Sequence, residues 1–185
     1  CLSVESKSVM TTTPIYPHFI KAPAYANKEI LAIEMKEENH RWTLDFEAME
    51  NAITPECKLF MLCNPYNPAG TVFTCKELEA LSSFCLKHDL TICSDEIHAD
   101  LTLPGYTHPT FALVSEKARR NSLVFMSPSK AFNMPGLASS YCIIEDEAIR
   151  HRFQTYMEAS EFSEGHLFAY LGVAAAYSNG TEWLD

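Results

Sequence analysis

The sequence has no cluster of basic residues. Its 14 lysines and arginines are outnumbered by 24 aspartates and glutamates, which gives a formal charge of -10 at neutral pH. Such a chain has few cations to set against phosphates, so no nucleic acid is expected as a partner. No apolar run approaches the roughly 20 residues of a bilayer-crossing helix, so no membrane partner is expected either. The opening CLSVESKSVM lacks a basic stretch followed by an apolar one and does not read as a secretory signal. There is no C-x-x-C pair and no zinc-type spacing of Cys with His, so no metal is expected. Neither G-x-G-x-x-G nor a P-loop occurs, which disfavours a dinucleotide or nucleoside triphosphate site.

What is present is a chain of 185 residues, 47% hydrophobic and 21% charged, enough for one globular domain with a sizeable core. Of seven cysteines, Cys63, Cys93 and Cys142 sit in apolar strand-like runs and Cys85 in a helix-like one. That is how reduced thiols serve as small apolar side chains, and it points to the cytoplasm. The chain begins with Cys1 rather than Met and ends in TEWLD, inside a new helix whose expected cap is Thr181. The expectation is a piece of a longer protein, cut at both sides.

Short apolar runs alternate with amphipathic stretches. Strands are expected at SVMTTT (8–13), EILAIEM (29–35), KLFMLC (58–63), LTICSD (90–95), SLVFM (122–126) and SSYCII (139–144). PIYPHFIKAPAYANK is expected to be helical in part. LDFEAMENAI (44–53) reads as a helix capped by Asp45, and FALVSEKARRN as a short one. Thr74 with Glu77 three residues later forms the capping box T-x-x-E, ahead of an apolar face of Leu78, Leu81, Phe84, Cys85 and Leu86. From Asp146 to Tyr177 the chain is expected to be mainly helical. This order implies an α/β fold, a sandwich with a mostly parallel sheet.

In such sheets ligands bind beyond the carboxyl ends of the strands. After the expected strands come Pro14, Ile15 and Tyr16; the turn NPYNPAG; Asp95, Glu96, Ile97 and His98; and Ser127, Ser129 and Lys130. Four strand ends would bring one lysine, one aspartate, an asparagine, a histidine, a serine and a tyrosine to one crevice. A lysine desolvated at a strand end is a nucleophile toward a carbonyl. A buried aspartate at the next strand end could hold a protonated ring nitrogen. Lysine with such an aspartate is the pairing used by pyridoxal phosphate enzymes. The bland alternatives are a surface lysine, a turn aspartate, a core tyrosine and a strand-end serine.

TPIYPHF, LCNPYNPAGTVFT, SDEIHADL and SPSKAFNMPGL together resemble the fold-type I pyridoxal phosphate enzymes of the class I/II aminotransferase-like family. They look closest to its MalY/PatB-type branch of cystathionine β-lyase-like C-S lyases. The resemblance covers essentially the whole chain. It implies a three-layer sandwich, with residues 1–185 as the central part of the large cofactor-binding domain. The upstream phosphate loop and the C-terminal small domain would lie outside it. Residue by residue, it implies that Lys130 binds the cofactor covalently and later moves the α-proton, and that Asp95 partners the ring nitrogen. Asn67 would bond the phenolic oxygen and Tyr16 would stack on the ring. Ser127 would bind the phosphate, with Ser129 less well matched. Asn64 reads as structural, bonding its own loop. His98 stands where many aminotransferases have a tyrosine, and either a cofactor contact or a structural histidine fits. His88, His108, His151 and His166 show no ligand spacing and read as surface or loop residues.

The position eight residues after Lys130 holds Ala138, where many aminotransferases have a phosphate-gripping arginine. The lyase-like branch commonly lacks that arginine. The resemblance therefore implies a carbon–sulfur β-lyase acting on cystathionine or other cysteine S-conjugates, releasing thiol, pyruvate and ammonia. The alternatives are a class I/II aminotransferase and, in another class, a non-catalytic regulatory or interaction module on the same fold. Relatives in this family are homodimers, so a homodimer is expected at full length. The piece alone is expected to be inactive.

Overall fold

The structure, a computed structural model, describes residues 6–162 and 165–184. Cys1, residues 163 and 164 of the expected helical tail, and Asp185 lie outside the described residues. Parallel strands dominate. β1 (Ser8–Thr13), β2 (Glu29–Glu34), β5 (Cys57–Cys63), β6 (Thr91–Asp95), β7 (Ser122–Met126) and β8 (Tyr141–Ile143) form one sheet in the order β2-β1-β5-β6-β7-β8. All neighbours are parallel except β7 and β8. The crossover helices are short: α1 (His18–Tyr25), α2 (Phe46–Ala52), α3 (Cys75–Lys87) and α4 (Glu116–Arg120). Beyond β8 come α5 (Glu147–Ala159), α6 (Leu167–Asn179) and α7 (Thr181–Leu184).

Alternation along β7 shows that both sheet faces are covered. Val124 joins the main core with Phe60, Leu62 and Ile92 of the sheet and Leu78, Leu81 and Phe84 of α3. Its neighbour Leu123 points the other way and packs with Ile144 and Ile149, flanked by Phe125 and Phe153. Helix, sheet and helix make three layers, the α/β sandwich that the sequence implied.

The local signals act as read where side chain and backbone cooperate. The Asp45 side chain accepts from the Ala48 N–H at 3.0 Å. Thr74 and Glu77 close the capping box, and Glu77 also accepts both guanidinium nitrogens of Arg41. Six described cysteines are free thiols: Cys57, Cys63 and Cys85 are buried, Cys93 and Cys142 partly buried, and Cys75 exposed.

Three features differ from expectation. FALVSEKARRN is not one helix. Its 3-10 turn Phe111–Leu113 is separated from α4 by Ser115, which is extended and accepts from the Ala118 N–H at 3.0 Å as a cap. Thr181 is the first residue of α7, while the Gly180 carbonyl receives the Trp183 and Leu184 amides. A hairpin of β3 (Lys36–Glu38) and β4 (Arg41–Thr43) was not foreseen, because all three residues of β3 are polar and exposed and show no apolar alternation. Its turn residues Asn39 and His40 have φ of 52° and 62°, the mirror-image turn that suits a tight hairpin.

Candidate active site

Because β1, β5, β6 and β7 run parallel, their carboxyl ends open on the same edge of the sheet. Asp95 ends β6 and lies in register with Cys63 of β5 and Phe125 of β7. Tyr16, Asn67, Asp95, His98 and Lys130 line one small pocket there, together with Phe19, Cys63 and Ile97. A larger open cleft of about 750 Å³ adjoins it, sharing Asn67 and His98 and walled by Pro65, Leu101, Leu103 and Tyr106. Asp95 and Lys130 line the small pocket and not the larger cleft. Arg41 at the larger cleft is already committed to Glu77.

The turn after β5 is shaped by its own backbone. The Gly70 N–H donates to the Tyr66 carbonyl and the Tyr66 N–H to the Thr71 carbonyl, each at 2.8 Å. Gly70 has φ of 69°, a conformation that a side chain would strain. Asn64 is buried, and its Oδ1 accepts from the Phe73 N–H at 3.0 Å, closing the loop's far side. The Tyr66 hydroxyl reaches β1 and donates to the Thr12 carbonyl at 2.8 Å. Asn67 receives the Tyr16 amide on its carbonyl at 3.2 Å, and its own N–H points to Cys63 Sγ at 3.5 Å. Its side-chain amide has no hydrogen-bond partner among the described residues.

Burial pushes the Asp95 carboxyl up from its ordinary value. The Ile97 N–H, donating to Oδ1 at 3.2 Å, and the nearby His98 act against this, Glu96 adds to it, and Lys130 opposes it. The balance is a carboxyl whose charge a cationic partner would stabilise. Burial lowers His98, and the Lys130 charge adds to this, against Asp95 and a hydrogen bond to the Pro65 carbonyl. The balance favours the neutral imidazole at His98. Burial likewise pushes the Cys63 thiol up to about 12, so it lines the pocket as a neutral group.

Lys130 corrects one expectation. It is exposed rather than desolvated, because it stands four residues past the end of β7, on a turn held by the Phe132 N–H to the Pro128 carbonyl at 2.9 Å. Its ammonium makes no hydrogen bond or ion pair with a described residue. Tyr16 is 44% exposed and stacks on His18, with centroids 4.9 Å apart and planes 14° from parallel. Ser127 does not line the pocket. Its buried hydroxyl donates to the Ser139 carbonyl at 2.6 Å and accepts from the Ser129 N–H at 3.1 Å, knotting the turn. Ala138 sits at φ 47° after the short turn Pro135–Leu137.

The histidines also divide differently from expectation. His108 is a core residue, its side chain 6% exposed and its Nε2 2.7 Å from the fully buried Glu96. His88 is half-buried against Phe84 and Glu50, and the His166 side chain accepts from the Phe168 N–H at the start of α6. Only pairing across a loop of a dozen residues reveals His108, and no spacing in the sequence announces it. His18 and Cys63 were signalled only by position: one lies two residues after Tyr16, the other at the last residue of β5.

A chain with this sheet and this set of strand-end groups is similar to proteins of one family. Residues 1–176 match the model of aminotransferase class I and II, and the chain belongs to that family. Among curated proteins, the cystathionine β-lyase PatB of Bacillus subtilis (strain 168) is 36% identical over 178 residues, which is 96% of this chain and 46% of that protein. Among solved structures, OvoB superposes with a TM-score of 0.94 at 41% identity, covering 98% of this chain and 48% of that one. Cystalysin from Treponema denticola, which contains a pyridoxal 5'-phosphate cofactor, superposes with a TM-score of 0.93 at 32% identity, covering 97% of this chain and 46% of that one. The chain spans about half the length of the curated relatives it matches.

Proposed function

We propose that the complete protein is a pyridoxal phosphate-dependent carbon–sulfur β-lyase, acting on cystathionine or another S-substituted cysteine. The observation that carries this reading is the convergence of Lys130, Asp95, Asn67, His98 and Tyr16 on one pocket. The donor set fits the cofactor. The Lys130 amine and Asn67 amide have no partners among the described residues, and Asp95 is a partly buried carboxyl with no cation bonded to it among them. Lys130 would hold the group covalently through Nζ, Asp95 its ring nitrogen, Asn67 and His98 its phenolic oxygen, and Tyr16 its face. Ser127 remains a candidate for the phosphate only if its hydroxyl gives up the Ser139 carbonyl. When bound, pyridoxal phosphate supplies an electron-accepting ring conjugated to the substrate's α-carbon.

The chain's own residues supply the rest. As a free amine, Lys130 Nζ is the base available to take the α-proton of an amino acid held at the pocket. Asp95 keeps a positive charge favourable on the ring side. The neutral His98 and the Asn67 amide offer hydrogen bonds without adding charge. Loss of the α-proton with departure of sulfur from the β-carbon breaks the C–S bond. With one water consumed, the sum is thiol, pyruvate and ammonium. The names of PatB and other relatives support the lyase, as does Ala138 in place of an arginine. The class I and II family match keeps an aminotransferase as the second reading.

The deciding experiment is incubation of the full-length protein with cystathionine, with and without an added keto acid. Pyruvate formed without the keto acid, and absent in Lys130→Ala, supports the lyase. Turnover that requires the keto acid transfers the assignment to the aminotransferase. A full-length protein that takes up no pyridoxal phosphate overturns both and leaves the non-catalytic module.

A further inference from the structure

Asp95 and Glu96 are adjacent carboxylates on opposite faces of the same strand end. Asp95 lines the pocket. Glu96 turns into the core beside Ser94, as alternation along a strand requires, and is 1% exposed. Three donors converge on it there: Ser94 Oγ at 2.9 Å, the Phe111 N–H at 2.9 Å and His108 Nε2 at 2.7 Å. Its own N–H donates to the Phe125 carbonyl of β7 at 2.8 Å, so both ends of the residue are fixed.

The loop between Glu96 and Phe111 carries Ile97 and His98 to the pocket and Leu101, Leu103 and Tyr106 to the adjoining cleft. Its internal backbone bonds are local: Ala99 to Glu96, Leu101 to His98, and Tyr106 to Leu103, at 2.9, 3.0 and 3.0 Å. Its far end returns to the core at His108 and Phe111, which both bond Glu96. A further side-chain tie, from the Tyr177 hydroxyl to Asp100 at 3.2 Å, is on the exposed side. One buried carboxylate therefore closes the loop on itself.

We propose that Glu96 and His108 are positioning residues for the pocket: their buried pair fixes the loop that carries Ile97 and His98, and so the direction in which Asp95 presents its carboxyl. The link to Asp95 is direct, since the Ile97 N–H donates to Asp95 Oδ1 at 3.2 Å. A pair with only a packing role would contribute stability without governing that bond. The proposal rests on the reading that the pocket holds pyridoxal phosphate, and its test separates the two.

The full-length protein is compared with His108→Leu, which loses the donor, and His108→Gln, whose amide can still donate to Glu96. Ile33→Ala, in β2 at the sheet edge, serves as a destabilised control remote from the loop. The readouts are pyridoxal phosphate affinity by absorbance titration and hydrogen exchange at the Ile97 amide. His108→Leu is expected to weaken the cofactor about tenfold and to speed Ile97 exchange by a similar factor, the scale of one lost buried hydrogen bond. His108→Gln is expected to restore most of both, and Ile33→Ala to change neither. Unchanged exchange at Ile97 in His108→Leu, or an equal change in Ile33→Ala, overturns the proposal. If His108→Leu does not fold, Ser94→Ala, which removes one donor to Glu96, must speed Ile97 exchange severalfold, and unchanged exchange there overturns it equally. Wild-type protein that takes up no cofactor sinks the functional reading, while Ile97 exchange still decides the positioning.

Discussion

The Tyr16 amide donates to the Asn67 carbonyl at 3.2 Å. Two residues that flank the pocket from the segments after β1 and β5 are thus tied through their backbones rather than their side chains. The Tyr66 hydroxyl doubles the tie by bonding the Thr12 carbonyl at 2.8 Å within the core. Tyr66→Phe removes that buried bond to the Thr12 carbonyl. It is expected to destabilise the fold by about 1–3 kcal/mol. Urea unfolding at fixed pH measures it, and a loss too small to resolve would mean that the bond adds no net stability.

Lys130→Ala is expected to abolish the covalent cofactor and to lower turnover by at least about 100-fold, the range for loss of a general base. Because Lys130 is exposed and unpaired among the described residues, the melting temperature without cofactor should barely move. The visible absorption of the full-length protein and a thermal melt check the two halves separately.

Asp95 makes a pH-dependent contribution with a definite sign. Its folded-state value is raised above the ordinary carboxylate value, chiefly by burial. The folded state then binds more protons than the unfolded state in the window above that ordinary value, so the cofactor-free protein loses stability as pH rises through it. Asp95→Asn keeps an oxygen for the Ile97 N–H and removes the titration. The cofactor-free variant should be more stable than wild type at neutral pH, and the two should converge in acid. In the holoenzyme the same substitution should lower turnover by about 100-fold or more, because the ring nitrogen loses its anionic partner. Urea melts across pH test the first expectation, and steady-state kinetics the second.

Thr74→Ala removes the hydroxyl that accepts the Glu77 N–H at the start of α3. A lost N-cap costs about 1 kcal/mol. Glu77→Ala should cost more, because it also frees Arg41, whose Nη2 donates to Glu77 Oε2 at 2.8 Å and to the Val72 carbonyl at 2.9 Å. A double-mutant cycle with Arg41→Ala measures the coupling, and additivity of the two losses would show that the hairpin and the helix cap are independent.

Much of this was legible along the chain. β1 and β7 begin and end where the sequence placed them, and the caps at Asp45 and Thr74 form as their spacing implied. These features depend on residues within a few positions of one another, where side chain and backbone chemistry are decided locally. The pocket followed from one rule, that parallel strands open their carboxyl ends on the same side. It brought Tyr16, Asn67, Asp95, His98 and Lys130 together but left Ser127 outside. A serine two residues before another can satisfy itself within its own turn, and the sequence does not say which bond it takes.

The residue types that can bind an aldehyde cofactor, and their places at strand ends, are properties of the sequence by itself. So are the family strings around them. Exposure of Lys130, burial of His108 and the partnership of His108 with Glu96 belong to the tertiary structure. Hydrogen bonds across twelve residues of irregular loop depend on where the sheet and the Phe111 turn place both ends. Local propensity carries no record of that distance. The same limit explains why two neighbouring carboxylates, Asp95 and Glu96, look alike in the sequence yet face a pocket and a core in the fold.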